Sequence, residues 1–304
     1  MAFDTSLLVA YTDETSQALV AEALTGAKTV GLVTVIPNIK NKTALNILDS
    51  TLAVQADACG WNSSGTVAFK QRDIDVFAAK TNQSLCPKTL EQYWLGQIMK
   101  AGSATDIPFQ SFLDSYISKQ IAAYIEKDIW LGQTVGSPSV GNISGYLELL
   151  EQESDIVYVA AAAPAHSAAN IIAHVDAMVT AIPEEIMLFP DLTLFMSPAD
   201  YKMYTAALRT ANLFWYDGKD QVNFETYIPG TNVKAVATPG LSTSHSWVLT
   251  YASNLVFGTD LAGEETKVQS WYSQDNQEIR ILATWKYGVQ VYFPQFCVTN
   301  FNHV

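Results

Sequence analysis

Alternating apolar and polar residues mark a long stretch near the end of the chain. From Ile279 to Phe293 every second residue is apolar, which is the period of a strand that buries one face. A further strand-like segment, 267–272, precedes it across the turn-like residues 273–276. No cluster of titratable side chains lies on this block. The chain is therefore predicted to end in long strands that act as a scaffold.

A hairpin is predicted in the first third of the chain. Two strand-like segments, 45–58 and 66–77, flank turn-forming residues at 62–65, so we expect an extended two-stranded hairpin over 45–78. A bulge or a change of buried face near 71–73 would explain a shift of apolar parity in the second strand. The residues that shift are Val67 and Phe69 on one parity and Ile74 and Val76 on the other. Strand-like alternation also starts at 31–36.

A long helix is predicted from residue 107 to residue 130. Apolar residues keep helical spacing along it, Asp106 can cap it with Pro108 in its first turn, and Gly132 is suited to end it. Its 24 residues would extend about 36 Å, which suits a structural beam. A short helix that starts at Pro87 is predicted before it.

The segment 136–145 is rich in Gly, Ser and Pro and is the best candidate for a domain boundary. Beyond it strands and helices alternate, which is typical of an α/β domain. Serine is the expected cap of both helices, and Pro198 fits the first position of the second one. The predicted elements are strand 155–163, a helix from Ser167 to Ile182, strand 192–196, a helix from Ser197 to Asn212, and strands 227–239 and 246–257.

Composition indicates either deep clefts or a large surface buried between copies of the chain, and we favour the second. Charged residues make up 15% of the 304 residues and hydrophobic ones 49%, whereas globular proteins usually have about a quarter of charged residues. The net charge is −13 and only three arginines occur, which excludes the basic clusters of a sequence-reading nucleic-acid binder. This acidity suits the wall of a container that holds DNA, and it equally suits any soluble acidic protein.

The chemistry-bearing residues form no recognisable catalytic or metal site. The four histidines lack the spacing of a metal-ligand pair, and no phosphate-binding glycine loop is present. Ser144 lies in a Gly-x-x-Ser-Gly segment, where a nucleophile elbow has serine one position earlier. The three cysteines are expected to be structural thiols in a reducing compartment. The longest apolar run, nine residues from Val157 to Ala165, is too short to span a bilayer. We expect no catalytic residue, no cofactor, no metal and no membrane contact.

Several segments follow one another in a recognisable order. They are Cys59-Gly60-Trp61-Asn62-Ser63-Ser64-Gly65 with Phe69 and Gln71-Arg72, then Leu85-Cys86-Pro87-Lys88, Ala123 to Gly132, Phe195 to Tyr201, and Trp271 to Pro294. In this order the chain resembles the major capsid protein of tailed bacteriophages, the Hong Kong 97-type fold family that also includes encapsulins. The resemblance covers almost the whole chain.

The resemblance implies an α+β fold of five parts. They are an N-terminal arm (1–29), an extended loop region that contains the hairpin (30–86), a peripheral domain with the long helix as its spine (87–145), an α/β axial domain (146–255) and a return to the peripheral domain (256–304).

The resemblance also implies that the hairpin lies across a neighbouring subunit. The candidate contacts between subunits are Trp61, Asn62, Ser63, Ser64, Gly65 and Arg72.

By the same resemblance the chain is a structural protein and not an enzyme. It would assemble with itself through pentamers and hexamers into an icosahedral shell that encloses double-stranded DNA without sequence-specific binding. Assembly in the host cytoplasm would place it in the virion capsid, with scaffolding, portal and decoration proteins as further partners. Two alternatives stay open: an encapsulin-like compartment around an enzyme cargo, and a hydrolase that uses Ser144 or His174 of the α/β insert.

Overall fold

The structure of the protein is a computed structural model. It describes residues 27–51, 53–57, 59–60, 64–86, 109–133, 143–159, 166–211, 224–242, 244–260 and 268–301. These ranges contain thirteen strands and four α-helices. The strands form two larger sheets and one two-stranded ribbon. The helix predicted at Pro87 and most of the predicted arm lie outside the described residues. No helix among the described residues is both long and apolar enough to cross a bilayer.

The first sheet is built around the long strand that the C-terminal alternation predicts. This strand, β12 (Glu278–Val291), is flanked by β4 (Phe77–Leu85), β11 (Val268–Ser273) and β10 (Leu255–Thr259), all antiparallel to it, and β1 (Thr34–Ile36) runs parallel to β10. The predicted strand with one buried face is confirmed, because the apolar side chains of β12 are buried at every second position. These are Ile281, Ala283, Trp285, Tyr287, Val289 and Val291.

Helix α1 (Phe109–Leu131) shares its hydrophobic core with this sheet. Isoleucine recurs at every fourth residue on its buried side, at 117, 121, 125 and 129, which is the spacing of one helix face. Its 23 residues extend about 34 Å. The helix ends at Gly132, as predicted: the Gly132 amide donates to the Asp128 carbonyl (2.9 Å). A Cβ at Gly132 would lie 2.5 Å from the Ile143 carbonyl oxygen, so the position requires glycine.

The second sheet has six strands in the order β5-β13-β9-β6-β8-β7. The strands are β5 (Val157–Tyr158), β6 (Leu192–Met196), β7 (Glu225–Tyr227), β8 (Lys234–Ala237), β9 (Trp247–Tyr251) and β13 (Val298–Asn300). Helices α3 (Ile171–Thr180) and α4 (Pro198–Thr210) cover one face, whereas α2 (Tyr146–Glu151) belongs to the core of α1. Alternate residues of β6 separate the two cores: Leu194 faces the helices and Phe195 faces α1. The sheet therefore lies between the two hydrophobic cores.

The predicted hairpin is present as a ribbon of β2 (Lys42–Thr51) and β3 (Thr66–Asp75). Their antiparallel register is unbroken from the pair Lys42–Asp75 to the pair Thr51–Thr66. Of the two explanations predicted for the parity shift near 71–73, the bulge is therefore wrong and the change of face is confirmed. The change of parity instead reflects a change in which face of the ribbon carries the apolar side chains.

Three predicted elements differ from those in the structure, and some elements of the structure were not predicted. The single strand expected at 227–239 is a hairpin of β7 and β8, with Gly230 at positive φ in its turn. The strand expected at 246–257 is divided by a 3-10 turn at Ala252–Asn254, and its halves, β9 and β10, belong to different sheets. Strands β4 and β13 and helix α2 have no counterpart among the predictions. Helix α3 begins at Ile171 with Asn170, rather than Ser167, at the cap position.

The other predicted starts are close to the structure. Ser197 accepts a hydrogen bond from the Asp200 amide (3.1 Å) and Pro198 opens α4, as the sequence predicts. The strand expected at 155–163 is β5 over Val157–Tyr158, and 160–163 lie outside the described residues. The predicted boundary segment 136–145 lies largely outside them too.

Candidate subunit-contact surface

The ribbon of β2 and β3 presents two different faces. Residues directly opposite each other in an antiparallel pair point to the same side. One side, the inner face, carries the pairs Thr43–Ile74, Leu45–Arg72 and Ile47–Lys70. The other side, the outer face, carries the pairs Asn46–Gln71, Leu48–Phe69 and Ser50–Val67.

The inner face is anchored to the body of the chain at the base of the ribbon. Leu45, Ile47 and Ile74 are buried, and Ile74 packs in a small core with Val256 of β10. The Arg72 guanidinium donates to the Glu153 carboxylate (2.7 Å) and to the Val291 carbonyl (3.4 Å).

Backbone contacts fix the same base to the first sheet. The Gln290 side-chain amide donates to the Asp73 carbonyl (2.7 Å), and the Val76 amide donates to the Asn41 carbonyl (2.8 Å). A Cβ at Gly288 would overlap the Asp75 carbonyl oxygen, so β12 can pass this closely only with glycine. The base of the ribbon is therefore rigidly held.

The outer face leaves an apolar cluster in solvent. Leu48 is 59% exposed, Val67 is 67% exposed and Phe69 is 81% exposed. Leu48 and Phe69 form a directly opposed pair, and Val67 lies two residues from Phe69 on the same face. Clusters of large exposed apolar side chains mark contact surfaces in proteins. The outer face is therefore the candidate surface for contact with another molecule.

The residues predicted as subunit contacts are distributed over the ribbon. Trp61, Asn62 and Ser63 lie outside the described residues. The Ser64 hydroxyl donates to the Ala53 carbonyl (3.3 Å). Gly65 has φ 94°, and a Cβ there would overlap the Thr51 carbonyl oxygen, so the end of the ribbon requires glycine.

Arg72 is placed apart from the other candidates, at the base, in its ion pair with Glu153. All six candidate contacts stay predictions. Sequence reasoning did not select Leu48, and it noted Val67 and Phe69 without selecting them as contacts. The signal for Val67 and Phe69 was a parity opposite to that of Ile74 on the same strand, and the signal for Leu48 was a parity opposite to that of Leu45 and Ile47.

A network of histidines joins α3, α4 and β9. His166 stacks on Trp247 with ring centres 4.2 Å apart, and its Nε2 donates to the His245 carbonyl (3.0 Å). Its Nδ1 therefore accepts from His174 Nδ1 (2.9 Å) when the ring is neutral. His245 Nδ1 (3.0 Å) and Trp247 Nε1 (2.8 Å) donate to the two carboxylate oxygens of buried Asp200. Burial lowers the pKa of His166, which favours this neutral network.

The hydrolase alternative gains no geometric support from these residues. His174 contacts His166 and Trp247 in the second core, whereas Ser144 precedes α2 beside the end of α1. No group of three His, Cys, Asp or Glu side chains suited to a metal occurs in the described part of the chain.

Two buried carboxylates on α1 face the core. Glu126 accepts from the Thr29 amide (2.9 Å) and the Thr29 hydroxyl (2.5 Å), and Trp130 Nε1 donates to the same hydroxyl (2.8 Å). Burial raises the pKa of Glu126, with the Thr29 hydrogen bonds acting in the opposite direction. Burial also raises the pKa of Asp128 to about 6, although the Tyr287 hydroxyl donates to it. These groups tie residues 27–33 and β12 to α1.

No protein-family profile and no curated protein matches the sequence. Solved structures are similar to it in fold. The chain is similar to a chain of the satellite phage P4 procapsid including the size determination (Sid) protein, with a TM-score of 0.63 and 12% identity over 94% of this chain and 90% of that one.

Two further structures extend the similarity. The capsid of an empty GTA particle matches with a TM-score of 0.60 and 13% identity over 91% of this chain and 90% of that one. A virus-like particle from Pyrococcus furiosus matches with a TM-score of 0.52 and 10% identity over 95% of this chain and 99% of that one. At such identities the similarity shows the fold alone. The fold is the Hong Kong 97-type fold of tailed-phage capsid proteins, as the sequence resemblance implied.

Proposed function

We propose that this chain is the major capsid protein of a tailed bacteriophage, which assembles through pentamers and hexamers into an icosahedral shell around double-stranded DNA. The outer face of the ribbon carries this proposal. Its apolar cluster is exposed although the ribbon base is firmly anchored, so burial of the cluster requires a second molecule. A fold shared with capsid chains over more than nine-tenths of the sequence supports a copy of the same chain as that molecule.

The parts of the chain take their roles from this proposal. Residues 1–29 form the arm, and 30–86 the extended loop region with the ribbon. Residues 87–145, with α1 as the spine, form the peripheral domain, to which 256–304 return. Residues 146–255, with α3, α4 and most of the second sheet, form the axial domain around the symmetry axes.

The ribbon contributes two kinds of subunit contact. The outer face, through Leu48 and Phe69, supplies apolar area against the neighbouring copy. The segment from Trp61 to Gly65, which connects β2 to β3 in the sequence, supplies the second contact with that copy. Arg72 fixes the base through Glu153, so that both contacts are held at a defined angle.

Charge and composition fit a wall around DNA. A net charge of −13 gives the shell no general attraction for the genome, so DNA can be packed without being bound to the wall. The chain acts structurally, without catalysis or a cofactor. Scaffolding, portal and decoration proteins are its further partners, and assembly takes place in the host cytoplasm.

A cellular compartment that encloses an enzyme cargo is the second candidate. The similarity over 99% of that chain to the virus-like particle from Pyrococcus furiosus favours it, because that particle comes from a cellular organism. The TM-score of this match is lower than that of the procapsid match. The two functions differ in particle size and contents.

Expression of the chain, followed by sedimentation and negative-stain electron microscopy, tests the proposal. We expect shells, tubes or capsomers, if necessary in the presence of a scaffolding partner. Particles from an infected host should contain nuclease-protected double-stranded DNA. A stable monomer at high concentration, also with a scaffold present, would contradict the proposal, and small shells filled with one protein would favour the compartment.

Trp61→Ala and deletion of 60–65 test the end of the ribbon. We expect both variants to fold, because residues 60–65 lie outside the paired residues of β2 and β3, but to form fewer or less stable shells. Particles equal to the parent in yield and thermal stability would remove these residues from the contact surface.

A further inference from the structure

The loop between α3 and β6 presents an apolar tip on the second sheet's side of the molecule. Three consecutive side chains, Met187, Leu188 and Phe189, are exposed, and Leu188 is 89% exposed. The residue before them, Ile186, is buried in the second core and anchors the loop there. We use apolar tip for residues 187–189. Three adjacent exposed apolar side chains are unusual outside contact surfaces.

The apolar tip is held in one shape by hydrogen bonds. Asn232, in the turn between β7 and β8, donates through its side-chain amide to the carbonyls of Met187 (3.1 Å) and Phe189 (2.8 Å). Leu188 is therefore clamped between two fixed carbonyls. The Phe189 ring also packs against Tyr251, with ring centres 5.3 Å apart. A tip ordered in advance loses little conformational entropy when it docks.

The base of the loop is acidic. Glu184 and Glu185 are both exposed and directly precede buried Ile186. The loop therefore combines an apolar tip with negative side chains next to it, and protein contact surfaces likewise combine an apolar centre with a polar edge.

Helix α4 presents the complementary surface. Lys202, Ala206 and Arg209 follow one another at helical spacing of four and three residues, so they share one side of the helix, and Ala199 continues that side toward its start. We use basic face for these four residues. Lys202, Arg209 and Ala199 are exposed and Ala206 is half-buried.

The basic face carries no exposed acid that would neutralise it. The one carboxylate of α4, Asp200, is fully buried in the histidine network. Within the described part of the chain, neither Lys202 nor Arg209 takes part in an ion pair. The two small alanines leave space between the cations for an apolar side chain. In a chain with 17 basic and 30 acidic residues, a helix side with this balance is distinctive.

We infer that the apolar tip of one copy docks on the basic face of the next copy around a capsomer. Leu188 packs between Ala199 and Ala206, while Glu184 and Glu185 approach Lys202 and Arg209. This inference rests on the proposed shell function and adds the residues that close its rings. A closed ring requires two different complementary patches on each subunit, and the tip and the face are such a pair.

Charge reversal on each side tests the inference. Glu184→Lys with Glu185→Lys places four positive groups together at the contact, and Lys202→Glu with Arg209→Glu places four negative groups there. We expect each double variant to lower capsomer and shell yield by roughly tenfold or more, since opposed like charges cost several kcal/mol. The fourfold variant restores the attraction with reversed signs and should recover most of the yield.

Three further measurements separate this contact from general effects. Asp155→Lys with Asp275→Lys makes an equal charge change at exposed acids outside both surfaces and should assemble like the parent. Leu188→Ser should lower the yield without changing the thermal unfolding of the subunit, because its side chain is almost fully exposed. Circular dichroism melts of all variants show whether folding is unaffected.

The outcomes distinguish the inference from the proposed function. If the parent chain never assembles, the shell function fails. If the parent assembles and the fourfold variant shows no recovery over the two double variants, the tip does not meet the basic face and the inference is overturned. Yield equal to the parent in both double variants would overturn it as well, while leaving the shell function intact.

Discussion

Replacing Leu48 and Phe69 with serine tests whether the outer face of the ribbon is a contact between copies. The two side chains oppose each other on β2 and β3, and neither contributes to a buried core. Serine keeps the backbone pairing and removes the apolar area. We therefore expect the subunit to fold, with a loss of less than about 1 kcal/mol in the free energy of unfolding from weaker strand propensity.

The expected effect on assembly follows from the exposed fractions. Complete burial of a side chain of this kind stabilises by about 1.5–3 kcal/mol. Since Phe69 is 81% exposed and Leu48 is 59% exposed, their burial against a neighbour would contribute together roughly 2 to 4 kcal/mol per contact. The association constant of one contact should therefore fall between about 30-fold and about 1,000-fold.

The assay is the concentration at which particles form, followed by light scattering and confirmed by electron microscopy. Asn46→Ser with Gln71→Ser is the matched control, because this exposed pair lies on the same face next to Leu48 and Phe69. We expect the control to assemble at the concentration of the parent and the apolar variant only at a much higher one. Equal assembly thresholds for both variants would refute the assignment of the outer face.

Three further changes probe other parts of the molecule. Gly240→Ala places a Cβ against the Glu126 carbonyl oxygen and the Trp130 ring and should lower the free energy of unfolding by about 1–3 kcal/mol in thermal melts. Asp128 has its pKa raised to about 6, so the stability from its protonated form is complete below pH 4 and lost as pH rises through 6. Asp128→Asn does not titrate, and its side-chain oxygen can still accept a hydrogen bond from the Tyr287 hydroxyl. Between pH 4 and pH 7 its free energy of unfolding should therefore decline by about 1 to 2 kcal/mol less than that of the parent, allowing for solvent screening. Asn232→Asp removes both donors to the apolar tip and should lower shell yield without lowering the melting temperature strongly.

Each of these changes has its own control and its own contrary result. Gly31→Ala, where a Cβ meets only an ordinary contact, should be tolerated, and equal destabilisation at Gly31 and Gly240 would argue against steric overlap. For Asp128→Asn, stability is measured from pH 4 to pH 7. Glu126, whose pKa burial also raises, remains in both proteins, so an unchanged slope would assign the pH dependence to Glu126. Normal assembly of Asn232→Asp would mean that the apolar tip does not require the two hydrogen bonds from Asn232.

Regular alternation and helix spacing were sufficient to predict the scaffold of the fold. Strand β12 and helix α1 each bury one continuous side, so the period of their apolar residues reports their structure directly. The start of α4 was equally clear, because Ser197 and Pro198 act locally at a helix end.

Elements that depend on distant parts of the chain were not predictable in this way. Strand β4 has mostly polar or small side chains, and its strand structure arises from backbone pairing with β12. The apolar run 246–257 is continuous in sequence, yet β9 and β10 join different sheets. The turn between them is fixed by Asn254, whose side chain donates to the Phe293 carbonyl (2.9 Å). Such a division depends on tertiary contacts, which a local pattern does not contain.

The candidate contact surface was only partly predictable for a related reason. Alternation identifies a strand face that is apolar, but it has the same period whether the face is buried in its own chain or exposed for another. The parity of Val67 and Phe69 was therefore attributed to a bulge or a change of buried face, whereas the structure exposes both side chains. The apolar tip at 187–189 has no period, and only its exposure together with the Asn232 clamp identifies it.

The claim that this chain forms the wall of a shell is tested most directly by an electron cryomicroscopy reconstruction of particles that contain it. We predict a closed icosahedral shell composed of this chain, with Leu48 and Phe69 of each ribbon buried against a neighbouring copy. A reconstruction in which another protein forms the wall, or in which the outer face of the ribbon remains in solvent, would contradict the claim.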